Sequence, residues 1–236
     1  MHSEDRSIHY SCEMFHAPRK HKQADIQKLY YELSQTPGAG YDNTNFTIPG
    51  QPRLYSKRGD KSQSIAVLLP DRLMVIEEWA DCTLSDFCHR LRMVAEHGME
   101  ALEIKSFLAQ TITLRSTCGL SHHQHALPFL MEKACQQQGK IEPYFQRPLA
   151  IGGLKFVLPE GPEHPGTLHI SIEPFRQEPR EVFVEVKAAY RGEPIEPDNL
   201  DILGERVTDA RGFVTDNIYP YLEQFDTPGE SGGQIT

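Results

Sequence analysis

The sequence predicts an α+β protein: a mostly antiparallel, curved sheet with helices on one face, built from two strand–helix–three-strand–long-helix halves. Three observations lead there. Short runs rich in β-branched and aliphatic residues recur with turn residues between them, as hairpin strands do. Three longer stretches carry apolar residues at the spacing of an amphipathic helix. The same order of elements then runs through residues 1–98 and again through 106–225, although the two stretches share little residue identity.

In the first half, "SIHYSCEMF" (7–15) reads as a strand and "ADIQKLYYELSQ" (24–35) as a helix with Ile26, Leu29, Tyr30 and Leu33 on one stripe. "TPGAG" (36–40) stops that helix, because Pro and Gly break helical geometry. "FTIPGQPRLYSK" (46–57) reads as a Pro-interrupted edge strand. "QSIAVLLP" (63–70) and "RLMVIEEWA" (72–80) form a hairpin turning at Pro70-Asp71. "TLSDFCHRLRMVAEHG" (83–98) is a helix whose Thr83 and Asp86 have capping-box spacing, with Gly98 as its expected stop.

The second half begins with a long strand, "SFLAQTITLRSTC" (106–118), and a helix around "PFLMEKACQQQ" (128–138). Strands follow at "GGLKFVLP" (152–159), "TLHISIEPF" (167–175) and "EVFVEVKAAY" (181–190). A long helix spans 198–225, with a stripe of Leu200, Leu203, Val207, Val214, Ile218 and Tyr221. The two halves are expected to share one sheet. The arrangement resembles the TATA-binding-protein-like fold and the helix-grip fold, analogies that carry no function with them. The tail 226–236 is small and polar and is expected to be disordered.

Composition narrows the function classes. The formal charge of −9 disfavours a phosphate-backbone binder, so nucleic acid is an unlikely partner. Five scattered cysteines without a C-x-x-C spacing suggest neither a disulfide framework nor a zinc knuckle. The start of the chain lacks a signal-peptide apolar region, and no apolar run approaches the ~18 residues of a membrane span. The expectation is a cytoplasmic protein with reduced thiols and no membrane partner.

The stretch that invites a chemical reading is "CGLSHHQHALPF" (118–129). Cys118, His122, His123 and His125 are of the types that ligate zinc, provided they converge. A helix capped by Ser121 would carry Pro128 in its second turn, at a cost of about 3 kcal/mol. Starting the helix near Pro128 avoids that cost and leaves "HHQH" as a connector. No second ligand pattern such as H-E-x-x-H occurs, and the expected cofactor is none, with zinc the exception to test. "GESGG" (229–233) matches a nucleophile elbow in letters only, since no Asp or His follows Ser231. Glu77 and Glu78, adjacent on a strand, point to opposite faces and cannot act as a pair. The bend "EPFRQEPRE", with Glu173, Arg176 and Arg180, is a candidate recognition loop, and Trp79 a candidate interface aromatic.

Five stretches, "SIAVLLPDRLMVIEEW", "TLSDFCHRL", "TITLRST", "RPLAIGGLKFVLP" and "ISIEPF", resemble a sporadically distributed bacterial family of conserved hypothetical proteins of about this length. That family has no assigned activity, so the resemblance implies no cofactor or catalytic residue. The functional expectation is a non-catalytic binding module engaging a protein partner or a second copy through a sheet edge or concave sheet face. Its alternatives are a metal-dependent hydrolase using the 118–125 cluster and a small-molecule carrier with a pocket between sheet and C-terminal helix.

Overall fold

A computed structural model of the chain describes residues 6–46, 51–137 and 139–228, with Glu142 described by its backbone alone. In chain order the strands are β1 (Arg6–Phe15), β2 (Asn43–Asn45), β3 (Arg53–Lys57), β4 (Gln63–Leu69), β5 (Arg72–Glu78), β6 (Phe107–Gly119), β7 (Leu154–Leu158), β8 (Thr167–Pro174) and β9 (Glu181–Ile195). The principal helices are α1 (Gln23–Gln35), α2 (Leu84–Ala101), α3 (Ala126–Pro128), α4 (Glu142–Phe145), α5 (Asp201–Phe213) and α6 (Tyr219–Glu223).

All nine strands form one open antiparallel sheet in the order β2-β3-β4-β5-β1-β6-β9-β8-β7. The order is nearly a palindrome of roles. In each half the first strand (β1 or β6) pairs with the last (β5 or β9), and the preceding two follow outward. β1 and β6 meet at the centre, with Ser11 opposite Thr113 and Cys12 opposite Ile112. The α+β antiparallel architecture is therefore the one the element order predicts, and both halves contribute to one sheet.

Strand alternation decides which face is dry. Tyr10, Cys12 and Met14 of β1, Leu73 and Val75 of β5, and Ile112 and Leu114 of β6 are buried on one face. There they pack with Leu29 and Leu33 of α1, Phe87, Leu91 and Val94 of α2, and Leu203 and Val207 of α5. A second cluster joins Ile170, Ile172, Val182 and Val184 to Phe129 and Leu130 after the loop and to Val214, Ile218 and Leu222 near the C-terminus. Burying a side chain of this kind contributes roughly 1.5–3 kcal/mol, so these two clusters account for the layered arrangement. On the opposite face Arg72 pairs with Glu13 at 2.8 Å and Arg115 with Glu185 at 2.6 Å.

Several elements differ from the sequence expectation for identifiable reasons. α2 carries the expected capping box but runs through Gly98 to Ala101. A Cβ at Gly98 would lie 2.6 Å from Leu73 Cδ1, so glycine serves close helix–sheet packing there, and the helix ends before Glu103 at φ +51°. The C-terminal helix is not uniform. A wide π-helical turn (Val214–Ile218) separates α5 from α6, just ahead of Pro220, whose ring cannot follow an ordinary turn. The wide turn shifts the buried stripe, so Tyr219 and Leu222 are buried while Tyr221 is only partly covered. Of the edge strand expected over 46–57 the described part is β3 alone (Arg53–Lys57), covered on its outer side by the short β2 that precedes the span, with residues 47–50 outside the described set. The helix expected from Pro128 starts at Ala126 and continues as a π-helical segment (Phe129–Ala134). Pro128 thus sits within the first turn, where its missing N–H costs nothing.

Candidate functional site

The 118–125 stretch folds as a loop stitched from both sides. From the β8–β9 turn, Arg180 donates its Nε to Leu120 O (2.7 Å) and its Nη2 to Ser121 O (2.9 Å). The backbone adds Leu120 N to Arg180 O at 3.0 Å and Ala126 N to Pro179 O at 2.7 Å. From the C-terminal side, the Asp226 carboxylate accepts Ser121 N (2.7 Å) and His122 N (3.0 Å) and meets His123 Nδ1 at 2.9 Å. The Asp226 side chain is fully buried, so the tail expected from 226 onward begins with a clamped residue. Residues 229–236, including Ser231, lie outside the described set. Burial alone would raise the Asp226 carboxyl, but the His123 ring and the two amides outweigh it and hold it below the usual carboxylate range.

This geometry does not assemble the expected zinc ligands. Cys118 points into the core, with Sγ 3.8 Å from Val182 O, whereas His122 and His125 are exposed. His123 is turned to Asp226 and its ring lies 5.0 Å from that of Phe129. Burial, helped by the charges of Glu181 and Asp226, pushes the Cys118 thiol up to about 12, which makes it a poor ligand and nucleophile at neutral pH. Among the described residues no group of three or more His, Cys, Asp or Glu is placed to hold a metal ion.

The remaining predicted binding residues are also separated. Glu173 accepts from Ser171 Oγ at 3.1 Å, Arg176 is exposed in the turn, and Arg180 is committed to the loop carbonyls. A surface cavity of about 590 Å³ adjoins Arg180, Arg6, Glu178 and Glu181, but Arg6 faces Glu181 at 3.4 Å and the lining carries both signs. Trp79 follows the end of β5 at φ +49°, half-buried outside both core clusters, with Lys61 Nζ 5.3 Å above its ring. Between the sheet and α5, where a carrier's pocket was expected, Leu203, Val207 and Ala210 are packed and Gln110 donates to Leu203 O at 3.0 Å.

Sequence reasoning missed a buried ion pair. Glu77 on β5 accepts from Arg90 of α2 and from Ser64 of β4, and all three are buried. The signal was present: alternation puts Glu77 on the face of Leu73 and Val75, and Arg90 lies on the α2 stripe beside Leu91. The pair holds hairpin and helix together and opens to no cavity described above.

What the structure leaves uncovered is the β7 edge. β7 pairs with β8 from Leu154↔Ile172 to Leu158↔Leu168 and has no strand on its outer side among the described residues. Its exposures are 37 % for Phe156, 59 % for Val157 and 41 % for Leu158; Tyr144, Phe145 and Ile151 just upstream are exposed too. Gly153 allows the strand to start there, since a Cβ would sit 2.1 Å from Ile172 O. Leu154 packs on the second core cluster and the Phe156 ring lies 6.2 Å from that of Tyr221, so Leu154, Phe156 and Leu158 face the helix layer. Lys155 and Val157 face the other way. A row of unpaired main-chain donors and acceptors flanked by apolar side chains is the chemistry of strand addition.

Fold and edge together define an open antiparallel α+β sheet protein with one apolar terminal strand. Compared with known proteins, the chain matches no protein-family model and no curated sequence. Among the described residues no helix is long and apolar enough to cross a membrane.

Proposed function

We propose that the protein is a non-catalytic binding module that engages a protein partner through the β7 edge of its sheet. The observation that carries this reading is the run of exposed apolar side chains on an unpaired terminal strand. Covering Val157 and Leu158 would remove apolar surface from water at roughly 25 cal/mol per Å² while main-chain hydrogen bonds fix the partner's register. The scatter of Cys118 and the three histidines supports a binding role over a hydrolytic one. The chain's net charge of −9 supports a protein partner over nucleic acid. Five unpaired cysteines suit a reducing compartment and support a cytoplasmic location.

Affinity capture from native cells, with size measurement of the recovered complex, tests the reading. The wild-type chain should come out in a stoichiometric complex, with a different protein or with itself, and Val157→Lys should weaken it. Equal recovery by both chains, or a strict monomer from both, contradicts the proposal.

A further inference from the structure

Resting on that reading, we infer that the occupant of the β7 edge is a second copy of this chain, paired β7 to β7 in antiparallel fashion about a two-fold axis normal to the sheet. The first argument is internal. β3 holds in the first half the position that β7 holds in the second, and its outer edge accepts an antiparallel strand, β2, with Asn43 opposite Tyr55 and Asn45 opposite Arg53. With that cover in place Leu54 and Ser56 of β3 are 0 % and 5 % exposed. Among the described residues β7 offers the same edge without the cover.

The second argument is self-complementarity. Centred on Phe156, two antiparallel copies of Leu154–Leu158 place Leu154 opposite Leu158, Phe156 opposite itself and Lys155 opposite Val157. A two-fold axis normal to the sheet keeps each side chain on its own face. The Leu154, Phe156 and Leu158 rows of both copies therefore adjoin on the helix side. On the other face each lysine lies against a valine, so no like charges are opposed. β7 contains one charged residue and no acidic one, so the chain's net charge of −9 is carried elsewhere. Pro159, with no N–H to donate, ends the ladder. The product is one continuous sheet across two chains with both helix layers on the same side.

Sedimentation velocity of the full untagged chain across a wide concentration range provides the test, with circular dichroism and Trp79 fluorescence as fold controls. The wild-type chain should show a concentration-dependent dimer. Val157→Lys sets the new lysine against the partner's Lys155 at two symmetric places and should weaken dimerisation roughly tenfold. The double variant Lys155→Glu with Val157→Lys turns both places into opposite-charge pairs and should restore the dimer. A wild-type chain monomeric throughout, a Val157→Lys variant that dimerises as wild type, or a double variant that stays monomeric overturns the inference. If the wild-type chain is monomeric yet Val157→Lys still loses a captured partner, self-pairing falls while the docking edge stands. If neither chain captures anything, both fall.

Discussion

The two halves lay out their strands in the same order and end in opposite ways. In the first, the outer strand β3 is covered by β2 and the long helix α2 is held by a capping box and a buried ion pair. In the second, the outer strand β7 has no cover among the described residues, the short α3, its π-helical continuation and α4 stand where the first half has α1, and the long closing helix is divided into α5 and α6 by a π-helical turn. Coverage rather than topology therefore decides where a sheet of this kind has surface to offer. The first half spends a strand, β2, on its outer edge; the second leaves its edge to the partner proposed above.

The largest expected effect lies in the closed half. Arg90→Met leaves Glu77 buried without its cation and should cost about 3–5 kcal/mol in urea unfolding. Adding Glu77→Gln should recover part of that loss, because removing both charges is far less damaging than stranding one. If the single variant is as stable as wild type, the pair does not hold hairpin and helix together.

A smaller effect is expected at the open half's boundary. Gly153→Ala forces a Cβ against Ile172 O and should cost about 1–3 kcal/mol while loosening β7 selectively. Gly119→Ala, with nothing within 4 Å of the added Cβ, should stay within about 0.5 kcal/mol. Equal costs at the two positions would mean that close approach to β8 does not set where β7 begins.

An effect of similar size, but dependent on pH, is expected in the loop. The Asp226 carboxyl is held low in the folded chain, so its ionised form favours folding. That contribution is present above the unfolded value near pH 4 and is lost as pH falls through the lower folded value. Asp226→Asn should cost about 1–3 kcal/mol at neutral pH, a difference that shrinks on acidification. A difference independent of pH would show that charge plays no part in the clamp.

Much of the architecture was legible because it rests on local pattern. The β4–β5 hairpin, the Thr83–Asp86 cap and the repeated element order are all written in short-range spacing. What was not legible depends on distant atoms. Gly98 reads as a stop until Leu73 is found against it. Pro220 shifts the C-terminal stripe through a π turn that no apolar period announces. Asp226 looks like the start of a loose tail until it meets the amides of Ser121 and His122, more than a hundred residues away in sequence. The sheet-edge reading was legible in kind but not in place. The Pro-interrupted 46–57 stretch drew attention to the first half, whereas β2 covers that edge and the apolar "LKFVL" run is the one left open.

Amide hydrogen exchange on β7 and β3, followed as protein concentration rises, tests the central claim most directly. The account predicts that the outward-pointing β7 amides, those not bonded to β8, exchange fast in dilute solution and become protected as copies associate, while β3, already capped by β2, is unchanged. Exchange at those β7 amides that is slow at every concentration, or fast at every concentration even with captured partner present, would contradict it.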